Sequence, residues 1–348
     1  MNRNQFFNLL YDEIIKSIDL IKQNNINGLL DLIIKYSGGK FYRYRHEQWT
    51  DEIKRSYVYL MRPQQTDDLL EFTYNYDIDI SKKVIFSSIK NHYIKIFSKQ
   101  NKYLGLNNNY CTDIFDSFTK EGQLQKEKFY KLINGKTELK SKADNLYNIL
   151  KSIEDDANDL FKNDLPKYIN AIEQNLSQIR NDYLMCCFVN DKNSNSMWSK
   201  YANKYQGFCI EYDLSKLKML EPSQKRGFIN ILPILYGNKT RMPYYKDFFL
   251  NELNGDENIF LDDNEFKKEI IKQTFTKDST WSNQNEWRLL AEDIGIRELY
   301  IPAISAIYIG CRASQQTITE INKICSGKSI IVFNHKLEKG GHFSYKRI

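Results

Sequence analysis

The sequence lacks the segments that are typical of exported proteins, of membrane-spanning proteins and of proteins stabilised by a bound metal ion. No apolar run approaches the length of a transmembrane helix and no signal peptide opens the chain, so we expect a cytoplasmic protein without membrane contact. The six cysteines have no paired spacing and the four histidines fit no zinc motif. We therefore expect free, reduced, buried thiols and no metal site.

Strong charge clustering and the common nucleotide motifs are absent too. No block of five like charges occurs, so the net charge of +6 permits an anionic partner without indicating one. Without a Walker A sequence or a GxGxxG after a strand, P-loop and Rossmann domains are disfavoured. No GxSxG elbow occurs either. Any bound nucleotide must be held by another fold.

The residues that are present predict an α+β fold, because helical periodicity dominates early and short strands follow later. We expect a small mixed or antiparallel sheet with N-terminal helices and a large helical insertion. Four divisions are predicted. Residues 1–39 form a helical hairpin and residues 40–83 the first part of the α+β core. Residues 84–181 form the helical insertion, and residues 182–348 form the second part of the core with the candidate site.

Periodicity and turn residues place the individual elements. A helix over 4–36 should break at Asn27-Gly28 and end at the glycines that follow Ser37. A loop is expected near 105–109. The predicted strands are 40–45, 56–61, 183–189, 207–213, 230–236, 286–291, 304–309 and 329–333, and a further helix is predicted over 315–325.

Two arginines lie on the first predicted strand. Arg43 and Arg45 alternate with aromatic residues, so both should project from one face. Such a pair suits an anion such as a diphosphate. A solvated strand edge would produce the same pattern, so both interpretations remain open here.

A second concentration of aromatic and polar residues spans 196–213. Trp198 and Tyr201 share a helical face, with Ser199 between them. On the next strand Glu211 and Asp213 share a side. Ordinary packing of a helix on a sheet accounts for the pattern equally well. Glu211 still stands out among apolar neighbours, because a buried carboxylate without a partner is costly.

The third segment, 277–290, is the most specific. Alternation on a strand would place Gln284, Glu286 and Arg288 on one face, and would turn Trp287 and Leu289 towards the core. A polar row beside a buried row is typical of a strand that lines a cleft. This pattern favours a functional site over simple packing.

Taken together, these segments resemble an uncharacterised bacterial family, the domain of unknown function numbered twenty-nine seventy-one. The resemblance rests on Tyr42-Arg43, on Met197-Trp198 with Tyr201-Ala202, on 207–210, and on 281–288 with its Glu-Trp-Arg. It covers roughly residues 40–75 and 182–335. The sequence departs from the family pattern at Gln284, where a glutamate is usual, at Val189, where a serine is usual, and at residues 66–71.

The order of these segments is also similar to the layout of ADP-ribosyltransferases, with an early strand arginine and a late Gln-x-Glu strand. This likeness implies NAD as the substrate, a protein or RNA acceptor, and a toxin or effector of bacterial antiviral defence. Glu286 would be catalytic together with Gln284 and Arg288. Arg43 or Arg45 would bind the diphosphate, and Trp198 or Tyr201 would stack on nicotinamide. Ser199 and Glu211 would complete the cofactor-binding set.

Two other functions remain open. A metal-dependent nucleic-acid-processing effector could hold Mg²⁺ with Glu211, Asp213 and Glu286. A non-catalytic sensor could bind a ligand in the late cleft and signal to a partner protein through its helical regions. Sensitivity to a chelator would indicate the first, and tight binding without turnover would indicate the second.

Overall fold

The computed structural model describes residues 3–20, 26–66, 72–75, 77–99, 108–221, 231–239, 270–339 and 343–348. The chain divides into two units. The first unit is the α+β part and comprises 1–73, 179–239 and 272–348. The second comprises 74–178 and 240–271, and the predicted helical insertion of 84–181 overlaps most of its first segment.

Two helices precede the sheet. Helix α1 spans Arg3–Leu20 and α2 spans Ile26–Ser37. The predicted break at Asn27-Gly28 is wrong, because both residues lie in the first turn of α2, where backbone amides need no partner within the helix. The predicted end is confirmed. Gly38 and Gly39 both have positive φ, which glycine adopts without steric cost.

An eight-stranded sheet organises the first unit, in the order β12-β11-β10-β4-β1-β3-β8-β5. Only β10 and β11 pair in parallel; the other neighbours are antiparallel. The sheet is therefore mostly antiparallel and the α+β class is confirmed. Its strands are β1 Lys40–Arg45, β3 Tyr183–Val189, β4 Phe208–Asp213, β5 Ile231–Pro233, β8 Glu286–Glu292, β10 Ile304–Ile309, β11 Ile331–Leu337 and β12 Phe343–Arg347.

The sheet is split between β1 and β3. These strands pair at one position, Tyr42 opposite Val189. By contrast, β1 pairs with β4 along all of its residues, and β3 does so with β8. Met61 exchanges two backbone hydrogen bonds with Met185 of β3, at 2.8 and 2.9 Å, and so occupies part of the gap. The split opens a cleft inside an otherwise continuous sheet.

Aromatic residues cover both faces of this sheet. On one face Phe6 of α1 contacts Trp287 of β8 at 5.5 Å between ring centroids, and Trp287 contacts Phe41 of β1 at 5.1 Å. On the other face the short helix α9, Asn195–Tyr201, packs Trp198 against Tyr44. Helix α10, Gln315–Cys325, has the bounds that the sequence predicted. The aromatic content thus supplies core on both sides of the sheet.

Several short elements differ from the prediction. The strand expected over 230–236 is divided into β5 and β6, Leu235–Tyr236, and residue 230 lies outside the described residues. Pro233 ends β5 because it offers no amide to a ladder, and β5 is an edge strand, where proline is tolerated. The second predicted strand shortens to β2, Tyr57–Tyr59. Strands β7, Thr276–Lys277, and β9, Glu298–Tyr300, were not predicted, and neither was β12.

The second unit is helical where it is described. Its hydrophobic cluster includes Phe115, Phe129 and Leu150. Of the loop predicted at 105–109, residues 105–107 lie outside the described residues and the last two begin α5. Among the described helices none is long and apolar enough to cross a membrane. The helices are α4 Ile78–Lys99, α5 Asn108–Phe115, α6 Lys126–Asn134, α7 Ala143–Asp159 and α8 Leu165–Asp182, while α3 of the first unit is Thr50–Arg55.

Candidate active site

The split between β1 and β3 forms a cleft with a volume of about 170 Å³. Its lining comes from β1, β3, β7, α9 and the short 3₁₀ helix Ser279–Gln284 before β8, all in the first unit. The cleft therefore brings together the early and late segments that the sequence analysis singled out. The lining residues that matter chemically are Arg43, Tyr201, Lys277, Trp281, Gln284 and Glu286.

Glu286 is the central carboxylate of this cleft. Its side chain is 4% exposed and accepts a hydrogen bond from Lys277 Nζ at 2.7 Å and another from Arg288 Nη2 at 3.1 Å. The Cys187 thiol donates to the same carboxylate. Arg288 is fully buried and also donates to the carbonyl of Thr274 at 2.7 Å. This second hydrogen bond holds the guanidinium group in place beside the Glu286 carboxylate. Arg288 therefore pairs with Glu286.

These cations keep Glu286 ionised. Burial alone would raise the pKa of its carboxyl, but Arg288 and Lys277 outweigh burial and lower the pKa to about 2. The backbone at Glu286 is fixed as well. Its amide donates to the Tyr236 hydroxyl at 2.8 Å, and its carbonyl accepts from Arg3 Nη2 at 2.5 Å. The cleft thus holds a positioned and permanently charged carboxylate.

Gln284 does not lie on the strand, and this part of the prediction is wrong. It ends the 3₁₀ helix, and Asn285 then adopts a left-handed conformation with φ of 48° before β8 begins. Glu286 and Arg288 do share a face of β8, and Trp287 and Leu289 are buried on the other, as predicted. Gln284 still lines the cleft, as does Glu286.

The two early arginines project from the same face of β1, as predicted, and share a partner there. Arg45 forms a bidentate ion pair with Glu52 of α3 at 2.7 and 2.8 Å, and Arg43 Nε lies 3.4 Å from the same carboxylate. Glu52 is fully buried. The strand edge is therefore not simply solvated. Two guanidinium groups share one carboxylate, which leaves a local surplus of positive charge.

Arg43 crosses the split in the sheet. It donates to the carbonyl of Tyr59 at 3.0 Å and contacts the Cys186 thiol. Burial raises the pKa of that thiol to about 12, so the thiol is neutral at physiological pH. Glu52 is accordingly the anion that balances Arg43. Cys186 and Cys187 point to opposite faces of β3, as expected for neighbours on a strand.

Of the aromatic residues that line the cleft, two are partly exposed rather than buried. Tyr201 comes from the end of α9 and Trp281 from the 3₁₀ helix. The ammonium groups of Lys200 and Lys277 lie over the Trp281 ring, at 4.5 and 5.5 Å from its centroid. Of the two aromatic residues predicted to stack on nicotinamide, Tyr201 lines the cleft.

Trp198 and Ser199 lie elsewhere, which corrects their assignment to the binding surface. The Trp198 ring is fully buried, stacks on His335 at 4.6 Å and donates from Nε1 to the carbonyl of Lys192 at 2.9 Å. Ser199 is exposed and does not line the cleft. Helical spacing showed that Trp198 and Tyr201 share a face, but could not show which of them reaches beyond the core.

Glu211 also lies outside the cleft. It accepts hydrogen bonds from Lys40 Nζ at 2.7 Å, from the Ser305 hydroxyl at 2.8 Å and from the Tyr308 hydroxyl at 2.7 Å. Burial would raise its pKa, but these donors lower it below the ordinary value. The carboxylate that stood out in the sequence is thus a paired structural group.

The titratable groups do not converge into a metal-ligand cluster in the part of the chain that the structure describes. Within it, no group of three or more His, Cys, Asp or Glu side chains is placed to hold a metal ion. Glu211, Asp213 and Glu286 are all described and do not come together. The described cysteines are free thiols. Cys311 is exposed in the turn after β10, which corrects its predicted burial.

Three functional candidates had no assigned role in the sequence analysis. Lys277 and Trp281 lie within the segment that was singled out, but no spacing rule showed that they approach Glu286 and Lys200. Glu52 lies in a short charged helix whose sequence looks like an exposed surface. Its carboxylate is buried because it accepts hydrogen bonds from Arg45 and from the Tyr59 amide, contacts that the sequence of α3 does not reveal.

Comparison with known protein families gives a match to part of the chain. Residues 197–289 match a family described as a protein of unknown function (DUF2971). The match confirms the predicted resemblance and covers most of α9, all of β4 and the first half of β8, with Tyr201, Lys277, Trp281 and Glu286. No curated protein and no solved structure matches the chain.

Proposed function

We propose that this protein uses NAD as a substrate and transfers ADP-ribose to an acceptor or to water. Glu286 would be the catalytic carboxylate. The proposal keeps the layout seen in the sequence, in which an early strand contributes arginines and a late strand contributes the carboxylate. The observation that carries it is the meeting of these two strands in one cleft of a split sheet.

The charges of the cleft support an anionic substrate. Arg43 and Arg45 share Glu52, while Lys277 and Arg288 share Glu286. Each group holds two cations on one carboxylate, so each keeps one positive charge that its own carboxylate does not balance. Arginine favours the paired oxygens of phosphate groups. The two groups project from opposite faces of the sheet and meet at the split. A dinucleotide that passes through the split would balance both groups, with its nicotinamide ribose on the side of Glu286 and its diphosphate on the side of Arg43 and Arg45.

The chemistry that we propose at Glu286 is cleavage of the bond between nicotinamide and ribose. As that bond breaks, its electron pair moves to the pyridinium nitrogen, which becomes neutral, and positive charge develops on the ribose carbon. A fixed carboxylate stabilises this charge and can hold the ribose hydroxyls. An acceptor hydroxyl or water then attacks the ribose carbon and loses its proton. Gln284, beside Glu286, would orient the acceptor.

Lys277 and Arg288 serve this role by keeping Glu286 ionised in a buried site. Because the pKa is lowered to about 2, the carboxylate is charged at any physiological pH. Tyr201 would form a wall for the nicotinamide side of the substrate. The cellular setting that we propose is a cytoplasmic effector, with a protein or RNA acceptor, in a bacterial antiviral system.

The test is to incubate the purified protein with NAD, alone and with RNA or candidate proteins, and to follow the products by mass spectrometry. The proposal predicts release of nicotinamide, together with free ADP-ribose or a modified acceptor. Glu286→Gln should reduce this release by at least about two orders of magnitude. Release at the original rate by a folded Glu286→Gln protein would rule out the mechanism. Chelation of divalent ions should leave release by the wild type unchanged.

A further inference from the structure

Two ammonium groups lie over the Trp281 ring in the cleft. Lys200 of α9 places its ammonium 4.5 Å from the ring centroid, and Lys277 of β7 places its own at 5.5 Å. The two lysines come from different elements and converge on one partly exposed indole. An indole face attracts cations through its quadrupole, and tryptophan does so most strongly of the aromatic residues.

The two lysines differ in how firmly they are held. Lys277 is buried and bound to Glu286 at 2.7 Å, so its position is set by that carboxylate. Lys200 is exposed at the end of a short helix. It also lies over the Tyr201 ring at 5.1 Å, so it has an alternative aromatic partner if it leaves Trp281. Lys200 is therefore the cation that an incoming group can displace.

We propose that Trp281 receives a positively charged aromatic ring of the ligand, a pyridinium, and that Lys200 occupies this position until the ring displaces it. Identifying the ring as the nicotinamide of NAD rests on the proposed function. The consequence for the reaction is specific. Cleavage converts the pyridinium into neutral nicotinamide, so the attraction to Trp281 falls at the moment when the leaving group must depart.

The test compares two rings that differ chiefly in charge. 1-Methylnicotinamide is a pyridinium cation, and nicotinamide is its neutral analogue. Binding of each to the full chain is measured by calorimetry and by quenching of tryptophan fluorescence. We expect the cation to bind about three- to thirty-fold more tightly than the neutral ring, the range that cation–π attraction supplies between exposed and desolvated sites. Trp281→Leu should abolish this preference, and Trp281→Phe should retain part of it.

Lys200→Gln tests the displacement directly. Removal of the competing ammonium should tighten binding of both 1-methylnicotinamide and nicotinamide by about two- to five-fold, because either ring must displace it from Trp281. Lys204→Gln is the matched control, because it removes an equal charge from an exposed position in the turn after α9. An equal gain in both variants would show general charge repulsion and would contradict displacement.

Failure of this inference is distinguishable from failure of the proposed function. A preference for the cation that survives Trp281→Leu, or no preference in the wild type, overturns the role of Trp281 even if the protein releases nicotinamide from NAD. Conversely, a preference that depends on Trp281, in a protein that never cleaves NAD, supports the pyridinium site and rejects the catalytic proposal.

Discussion

Glu286 balances two cations inside the protein, so its substitution affects stability as well as chemistry. Glu286→Gln leaves Lys277 and Arg288 buried without their anion. Breaking such a group by removing one partner costs about 3–5 kcal/mol. We expect urea unfolding to show a loss of this size.

The double variant Lys277→Met with Glu286→Gln is the matched control. It removes one cation together with the carboxylate, so it should recover a large part of the lost free energy of unfolding, while nicotinamide release stays abolished. A double variant that is as unstable as the sum of the two single variants would contradict the pairing.

The same residue predicts how stability depends on pH. Glu286 has its pKa lowered from 4.5 to about 2. A carboxyl whose folded pKa is depressed stabilises the folded state above its unfolded pKa, and this contribution is lost as pH falls from 4.5 towards 2. The lost contribution should be about 3 kcal/mol. Urea unfolding as a function of pH should show this loss in the wild type and a smaller one in the double variant.

Protonation of His335 adds a separate loss of folding stability, at higher pH than the loss from Glu286. Burial lowers its pKa from 6.5 to about 4, and neither ring nitrogen has a hydrogen-bond partner among the described residues. The unfolded chain therefore binds a proton more readily, and stability falls as pH drops from 6.5 to 4. This loss of stability is common to the wild type and the double variant. The difference between their profiles of stability against pH therefore gives the contribution of Glu286 alone.

At the scale of elements, the approach of β1 to the start of β4 positions the arginines. A Cβ added at Gly207 would lie 2.0 Å from the carbonyl oxygen of Arg45. Gly207→Ala must therefore push β1 and β4 apart at this end. We expect a loss of about 1–3 kcal/mol in the free energy of unfolding and weaker binding of anionic ligands.

Gly295→Asn is the control for this substitution. Gly295 has open space around a Cβ and a left-handed φ of 82°, which asparagine tolerates better than other residues with a Cβ. It should change the free energy of unfolding by less than Gly207→Ala does. Equal losses in the two variants would contradict a specific role for the close approach at Gly207.

The elements themselves were largely predictable from the sequence, because strand alternation and glycine stops are local signals. Strands β1, β3, β8 and β10 and helix α10 were found close to their observed bounds. The left-handed turn at Asn285 was missed, because its conformation depends on the 3₁₀ helix before it. The short strands β7 and β9 carry too few residues for a periodic pattern, and each is defined by its partner.

The candidate site was predictable in part, for a physical reason. Glu286 was identified from its place on a strand with a buried opposite face. Glu52, Lys277 and Trp281 were missed, because their roles arise from contacts between segments distant in sequence. Trp198 was misplaced, since periodicity assigns a residue to a helix face without showing how deeply that face is buried.

At the scale of the whole molecule, the two units have separate cores, and the cleft belongs to the first. Leu150 is fully buried in the hydrophobic cluster of the helical unit. Leu150→Ala should cost that cluster about 2–5 kcal/mol. Hydrogen exchange should then accelerate in α4 to α7 while amides of β3 and β8 keep their protection. Phe188→Ala in the first unit is the matched control and should give the reverse pattern.

A crystal structure of the double variant, Lys277→Met with Glu286→Gln, with NAD bound would test directly whether residue 286 faces the substrate ribose. We predict that the ribose next to nicotinamide lies within hydrogen-bonding distance of residue 286 and that the diphosphate lies towards Arg43 and Arg45. NAD bound outside the split between β1 and β3, or bound with its nicotinamide ribose away from residue 286, would contradict it.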